Sequence, residues 1–155
     1  AHRVFGYIGS TGTPTASAVF PLVTEAQVPW IGALTGAGFL RSPFVPTVVN
    51  ARASYTDECA AMTTHLVAMG ITRVAFFGQD DSFGGAGLSG ITLSLKFHRL
   101  SLMVDSRYPK GTEAVHSGIV AMLSLPEPPE AVSATSSRFC TPLRLWGRAH
   151  GAGPL

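Results

Sequence analysis

Charged side chains are scarce in this sequence of 155 residues. Asp, Glu, Lys and Arg make up only 13% of it, whereas hydrophobic residues make up 46%. A disordered chain has the opposite balance, so this composition indicates a folded domain with a buried core. The formal net charge is only +2, and the eleven basic residues are scattered along the chain. Because nucleic-acid-binding proteins concentrate Lys and Arg on one surface, no nucleic-acid partner is expected.

Long apolar runs, a leader pattern and clustered cysteines are also missing. No apolar run reaches the roughly 18 to 20 residues that span a bilayer, so no membrane-spanning helix is predicted. The first residues lack a basic stretch followed by an apolar core, so no signal peptide is predicted in this chain. The two cysteines, Cys59 and Cys140, and the five histidines do not have the spacing of a metal site. We therefore assign no catalytic residue, metal ligand or cofactor.

Short β-rich runs alternate with amphipathic stretches about every 30 residues, which is typical of βαβ units. Strands are predicted at 3–8, 28–34, 47–50, 73–78, 100–105 and 130–134. Helices are predicted at 13–26, 54–69, 83–98 and 111–125. This order predicts an α/β fold in which parallel sheets are covered by helices. From residue 133 onward the alternation is lost, and residues 133–155 are expected to be irregular.

Two of these elements carry sharper local signals. Ser54 followed by Asp57 has the spacing of a capping box at a helix start. Further along that helix, Met62, Leu66 and Met69 form an apolar stripe that is expected to face the core. The strand at 73–78 is apolar at successive positions, which predicts that both of its faces are buried.

Two glycine-containing segments resemble phosphate-binding loops. Residues 85–90 (GAGLSG) match the dinucleotide-binding spacing, but six residues separate them from Gly78 at the strand end. We therefore expect these glycines inside a helix, where they allow close packing on the sheet. Residues 9–14 (GSTGTP) join a strand to a helix N-terminus and lack the Lys of a nucleotide loop. They are either a carboxylate site or an ordinary turn.

Five blocks of the sequence are similar to the Leu/Ile/Val-binding type of periplasmic substrate-binding protein, and they follow one another in the same order as in that family. These blocks are residues 9–14, 28–32 (VPWIG), 35–37 (TGA), 50–55 (NARASY) and 79–84 (QDDSFG). The resemblance extends over about four-fifths of this chain and about a third to a half of a typical family member. It implies parts of two Rossmann-like lobes of a type I fold: residues 1–49 in the first lobe and 50–132 in the second. Residues 50–52 would be a crossover between the lobes.

The resemblance also implies a ligand site. Ser10 matches a hydroxyl that holds a ligand carboxylate, and Thr11 lies in the same loop. Leu34, Thr35 and Gly36 match the next loop, which completes that carboxylate site. Phe83 matches a Tyr that covers the ligand from the second lobe. The acidic residue that holds the amino group of an amino acid has no counterpart here.

The implied function is that of the solute-binding component of an ABC transporter. Its partners would be a small amino acid or similar carboxylate and the transporter permease, and the full-length parent would be periplasmic. A ligand-sensing receptor or regulatory module with the same fold is an alternative. A nucleotide-dependent enzyme that uses residues 85–90 is a third.

Overall fold

A computed structural model describes residues 4–112 and 114–135. Strands and helices alternate along these residues: β1 (Tyr7–Ile8), α1 (Thr13–Glu25), β2 (Trp30–Ile31), β3 (Val48–Val49), α2 (Tyr55–Ala68), β4 (Val74–Gln79), α3 (Ser82–Phe97), β5 (Asp105–Tyr108), α4 (His116–Leu123) and β6 (Ala131–Thr135). A 3-10 turn, Gly38–Leu40, lies between β2 and β3. Within the described part of the chain, no helix is both long and apolar enough to cross a membrane.

The strands form two parallel three-stranded sheets, ordered β1-β2-β3 and β5-β4-β6. We refer to the first sheet with α1 as lobe one, and to the second sheet with α2, α3 and α4 as lobe two. The two lobes meet through contacts between α1 and α3. The predicted α/β class with parallel, helix-covered sheets is confirmed.

The central strand of lobe two is buried along its whole length, as its apolar sequence predicts. Val74 and Phe76 pack in one cluster with Ile91 of α3. Ala75 and Phe77 belong to a second cluster on the other face, with Tyr108 of β5 and Met122 of α4 as partners. Because successive strand residues point to opposite faces, β4 supplies both cores of this lobe.

Lobe one is covered differently. Trp30 is fully buried and packs with Ala16 of α1. Within residues 4–8, the described part of the predicted strand 3–8, only Tyr7–Ile8 is a strand. The predicted strand 3–8 has the composition of a buried strand, but this interpretation is wrong for Ile8, which is 79% exposed. Ile8 pairs with Ile31, which pairs with Val49, and all three side chains are exposed. Among the described residues, α1 packs only on the opposite face of this sheet.

Helix α2 begins as predicted but turns a different face to the core. The Ser54 hydroxyl accepts a hydrogen bond from the Asp57 N–H, and the Asp57 carboxylate accepts one from the Ser54 N–H. The predicted apolar stripe is confirmed for Leu66, which packs on the core, and wrong for Met62 and Met69, which are about half exposed. Cys59 and Thr63 are the buried residues of this helix. They face the core because α2 packs on α3, where small residues allow a close approach.

Close packing is confirmed for Gly87 and Gly90 of the segment 85–90 and extends to Gly84, whereas a Cβ on Gly85 would meet nothing within 4 Å. Gly84, Gly87 and Gly90 recur every third residue and are all buried. A Cβ on Gly84 would collide with the Gln79 carbonyl, and one on Gly87 would collide with the Thr135 side chain. A Cβ on Gly90 would lie 3.0 Å from the Cys59 sulfur. The motif-like glycines therefore lie within the helix and not at a phosphate-binding turn.

The C-terminal elements are shifted from their predicted places. The strand predicted at 100–105 is a connection, and β5 (Asp105–Tyr108) is the polar segment DSRY. The prediction fails because Leu100 and Leu102 pack on the core as a loop, while pairing with β4 starts opposite Asp105. Helix α4 begins at His116 and not at 111. Strand β6 is confirmed but includes residues 133–135 of the segment predicted to be irregular. Residues 136–155 lie outside the described residues.

Gly84→Ala is expected to destabilise the protein, because its Cβ would collide with the backbone carbonyl of Gln79. The matched control is Gly85→Ala in the same helix, where a Cβ meets nothing within 4 Å. The control should be neutral or stabilising by up to about 1 kcal/mol, since Ala favours helix over Gly. Urea unfolding of the two purified variants measures the free energy of unfolding of each. Equal stability of the two variants would contradict the packing role of Gly84.

Ser54→Ala is expected to destabilise the protein by about 1 kcal/mol at neutral pH through loss of the cap. The Ser54 hydroxyl, and secondarily its N–H, hold the pKa of Asp57 below its ordinary value of 3.8. Because the folded carboxyl has the lower pKa, its contribution is present above that ordinary value and is lost as pH falls through the folded pKa. NMR titration should show the Asp57 pKa rising in Ser54→Ala. An unchanged pKa would refute the cap as its cause.

Candidate ligand-binding site

A cavity of about 440 Å³ lies between the two lobes. Residues that follow or end five strands line it: Thr11 after β1, Leu34 after β2, Asp81 after β4, Lys110 after β5 and Thr135 at the end of β6. Parallel strands share one carboxyl edge, and open α/β sheets bind ligands at that edge. The size and position of the cavity are those of a small-molecule site.

The start of α1 forms the lobe-one wall, with Thr11, Gly12, Thr13 and Pro14 in the lining. Gly12 is the N-cap with φ 93°, so no side chain caps this helix, and its first turn has no acidic residue. An uncapped helix N-terminus presents free N–H groups and the positive end of the helix dipole. This wall therefore favours an anionic group.

The loop before α1 is held in place by lobe one itself. The Trp30 indole N–H donates to the Gly9 carbonyl at 2.8 Å. The Leu34 N–H donates to the Ser10 carbonyl at 2.8 Å, and the Gly12 N–H to the Leu34 carbonyl at 3.3 Å. These bonds extend the β1–β2 pairing past the strands, so Thr11 and Leu34 are positioned side by side at the cavity.

A chain of hydroxyls joins the two lobes beside the cavity. Thr13 and Thr35 share a buried hydrogen bond of 2.8 Å between their side-chain oxygens. The Thr35 hydroxyl donates to the phenol oxygen of Tyr55 at 3.4 Å and accepts from the Ala37 N–H. Tyr55, the first residue of α2, thus brings its phenol from lobe two into contact with the buried polar groups of lobe one.

The same tyrosine is fixed through its backbone. Its N–H donates to the Gly36 carbonyl at 2.8 Å. Gly36 has room for this bond only because it has no side chain, since a Cβ there would lie 2.7 Å from the Tyr55 nitrogen. The Tyr55 ring lies 5.5 Å from the Phe83 ring, and the two rings together make an aromatic wall of the cavity.

Two ion pairs contribute all four charged side chains of the lining. Arg52 pairs with Glu58, and its guanidinium lies 5.3 Å from the centre of the Tyr55 ring. Lys110 pairs with Asp81 at 3.4 Å. The charges cancel, so the lining as a whole is polar but neutral. Burial raises the pKa of the Cys59 thiol, which keeps this lining residue in its uncharged form.

The crossover between the lobes is held by Arg41. Its guanidinium donates to the carbonyls of Ala37, Arg52 and Ala53 at 2.9, 2.9 and 3.3 Å. Burial, and then the neighbouring charge of Arg52, lower the pKa of Arg41. Because these bonds hold the backbone of Arg52, Arg41 fixes the point from which the Arg52 side chain enters the cavity.

The structure brings three of the six predicted site residues to the cavity. Thr11, Leu34 and Phe83 line it. The other three, Ser10, Thr35 and Gly36, are not among its lining residues. The Ser10 hydroxyl is buried and has no hydrogen-bond partner among the described residues. Thr35 is fully buried and its hydroxyl is engaged, while the Gly36 carbonyl is used by Tyr55.

Sequence analysis missed the α2 side of the cavity. Tyr55, Glu58, Cys59 and Met62 all line it. Their spacing of three, four and seven residues places them on one helical face, and this periodicity was the available signal. Of these four residues, only Met62 was part of the stripe predicted to face the core.

Comparisons with known proteins agree with this architecture. The sequence pattern of the family described as periplasmic binding protein matches residues 1–125. No curated protein sequence matches significantly. Among solved structures, a possible leucine/isoleucine/valine-binding protein from Rhodopirellula baltica is 35% identical, with a TM-score of 0.87. A substrate-binding periplasmic protein from Ralstonia solanacearum is 26% identical, with a TM-score of 0.80. Each match covers 97% of this chain but only 42% of the other protein.

A solute-binding protein of an ABC transporter from R. palustris, in complex with benzoate, has a TM-score of 0.75. It is 18% identical over 86% of this chain and 37% of its own, so this likeness concerns the fold. The family pattern, in contrast, spans most of the chain, and the two parallel sheets around a cavity agree with it. The chain belongs to the periplasmic binding protein family.

Proposed function

We propose that this chain contributes to binding a small, carboxylate-bearing solute that the full-length protein delivers to an ABC transporter permease outside the cytoplasm. The observation that carries the proposal is the cavity between the lobes at the carboxyl edge of both sheets. Its lobe-one wall is an uncapped helix N-terminus without acidic residues. Such a wall stabilises an anion through N–H groups and the helix dipole.

The neighbouring structures support a carboxylate in two ways. The R. baltica protein is described as a possible leucine/isoleucine/valine-binding protein, and the R. palustris protein holds benzoate. These solutes share only a carboxylate and an apolar body. In this chain, Leu34, Tyr55, Met62 and Phe83 would contact the apolar body, because they supply apolar surface to the same cavity.

Delivery requires that the bound and free proteins differ in shape. A ligand that contacts both lobes favours the closed arrangement by the contacts it gains there, and a permease distinguishes the two arrangements. Tyr55 suits this role because it already contacts lobe one through Gly36 and Thr35, yet it starts a helix of lobe two. A ligand-sensing receptor, the alternative function for this fold, would use the same closure of the two lobes. The alternative of a nucleotide-dependent enzyme is disfavoured, because residues 85–90 lie inside α3 and not at a phosphate-binding turn.

Thr11→Asp is expected to weaken binding of L-leucine or benzoate by about tenfold or more, because it adds a negative charge beside the proposed carboxylate. Ser17→Asp is the matched control. It adds the same charge to α1 beyond the first turn, at an exposed position outside the cavity lining. Calorimetric titration of the purified full-length protein measures the dissociation constant of each variant. If wild-type protein binds no carboxylate, or if the two variants lose equal affinity, the proposed carboxylate site is wrong.

Phe83→Ala is expected to weaken binding of the same solutes by about tenfold, since it removes one of the two rings of the aromatic wall. Phe97→Ala is the matched control in the same helix, because Phe97 is 85% exposed and outside the cavity lining. Fluorescence or calorimetric titration compares their dissociation constants. Unchanged affinity in Phe83→Ala would show that the aromatic wall does not contact the solute.

A further inference from the structure

The segment between the two lobes, residues 50–54, is fastened to lobe one at both ends. It connects β3 of lobe one with α2 of lobe two. At its start, the Asn50 side-chain amide donates to the Leu40 carbonyl at 2.9 Å. Immediately after it, the Tyr55 N–H donates to the Gly36 carbonyl at 2.8 Å. Both acceptors lie in the connection between β2 and β3, so one loop of lobe one determines where α2 begins.

Arg41 belongs to the same loop and holds the middle of the segment. Its Nη1 donates to the Ala37 carbonyl at 2.9 Å, and its Nη2 donates to the Arg52 carbonyl at 2.9 Å. Two other carbonyl oxygens lie within hydrogen-bond distance of Nη2, that of Ala53 at 3.3 Å and that of Thr35 at 3.5 Å. Each terminal nitrogen of a guanidinium has two N–H groups. Three carbonyls therefore share the two donors of Nη2.

A shared donor can change partners when the lobes move. Ala53 is the second residue before α2, so a rotation of lobe two about the segment alters the distance between its carbonyl and Arg41. Nη2 can then shorten its bond to one carbonyl as its bond to the other lengthens. Losing a hydrogen bond to a charged group costs more than exchanging it. Arg41 thus keeps the segment attached to lobe one while it permits rotation of lobe two.

The surroundings of Arg41 separate its role from solute contact. Arg41 is not one of the described residues that line the cavity. Two of its acceptors belong to buried residues, since Thr35 is 0% and Ala37 2% exposed. Buried carbonyls need hydrogen-bond donors from the protein. A change at Arg41 therefore acts on the boundary between the lobes and not on the wall that meets a solute.

We propose that Arg41 is the pivot between the lobes, a positioning residue whose Nη2 exchanges between the Arg52 and Ala53 carbonyls. With Arg41 in place, the arrangement of this structure is favoured. Without it, the carbonyls at the lobe boundary lose their charged donor, and arrangements that admit water to them become more populated. This assignment rests on the proposed function only in that a permease distinguishes arrangements of the lobes.

The test measures the arrangement of the lobes in the purified full-length protein without ligand. Spin labels are attached at Glu25→Cys in α1 and Lys96→Cys in α3, both exposed positions, after other reactive cysteines are replaced by Ser. Arg41→Met should raise the ratio of other inter-lobe distances to the distance of this structure by about tenfold. Arg41→Lys should raise it likewise, because one ammonium nitrogen does not replace both Nη1 and Nη2.

Hydrogen exchange of the same proteins separates a local effect from a general loss of stability. The Tyr55 N–H, which is bonded to lobe one, should exchange about tenfold faster in Arg41→Met than in the wild type. The Thr63 N–H lies inside α2 and should exchange at an unchanged rate. Arg73→Met is the matched control, because this arginine also donates to a carbonyl and pairs with Glu130, but within lobe two. It should change neither the lobe distances nor the exchange of Tyr55.

Unchanged lobe distances in Arg41→Met, or an equal change in Arg73→Met, would refute the pivot. Wild-type distances in Arg41→Lys would refute it too, since the charge alone would then be sufficient. If thermal unfolding shows that Arg41→Met is not folded, Arg41→Lys carries the test with the same expected shift. Failure of the wild type to bind any carboxylate refutes the proposed function and leaves the pivot standing, because the lobe distances are measured without ligand.

Discussion

The contact between Gly36 and Tyr55 determines the rest of the site. A backbone hydrogen bond of 2.8 Å ties the first residue of α2 to a loop of lobe one, and the lack of a Cβ on Gly36 makes the approach possible. Once Tyr55 is fixed there, helix periodicity places Glu58 and Met62 on the same face, towards the cavity. The position of α2 in turn sets α3, because Cys59 packs where Gly90 has no side chain. One glycine therefore aligns a helix, an aromatic wall and an ion pair.

Polar groups at the boundary between the two lobes fall into two classes with different roles. Those of Thr13, Thr35 and Arg41 are satisfied by neighbouring protein groups, and a buried group satisfied in this way is costly to disturb. They hold the geometry of the loops and the crossover. The charges of Arg52 and Glu58 remain partly accessible to solvent, with about a third of each side chain exposed. The hydrogen-bonded buried groups thus position the loops around the cavity, and the accessible charges are exposed to its contents.

Sequence patterns predicted the order of elements well, because that order depends on local chemistry. The Ser54 capping box, the both-face burial of β4 and the helical placement of residues 85–90 follow from short-range rules. The sequence patterns gave wrong predictions where tertiary packing determines which segment pairs with a strand or which helix face is buried. Apolar Leu100 and Leu102 suggested a strand, but the pairing partner of β4 is the polar segment Asp105–Tyr108. Met62 suggested a core face, yet the small residues of α3 bring Cys59 inward instead.

The site was predictable to the extent that strand-end loops determine it. Thr11, Leu34 and Phe83 were implied by the family resemblance, and they lie where parallel strands end, the edge at which open α/β sheets bind ligands. Whether a hydroxyl in such a loop faces a cavity depends on its neighbours, and Thr35 is turned inward because Thr13 and Tyr55 bond to it. Glu58 is separated from the strand-end loops by a turn of helix, and only the tertiary contact at Gly36 brings it to the cavity. The family resemblance gave no counterpart in this chain for the acidic residue that holds a solute ammonium. Glu58 lines the cavity from α2, outside the five resembling blocks, so the charges of the cavity follow from the elements that line it and not from aligned positions alone.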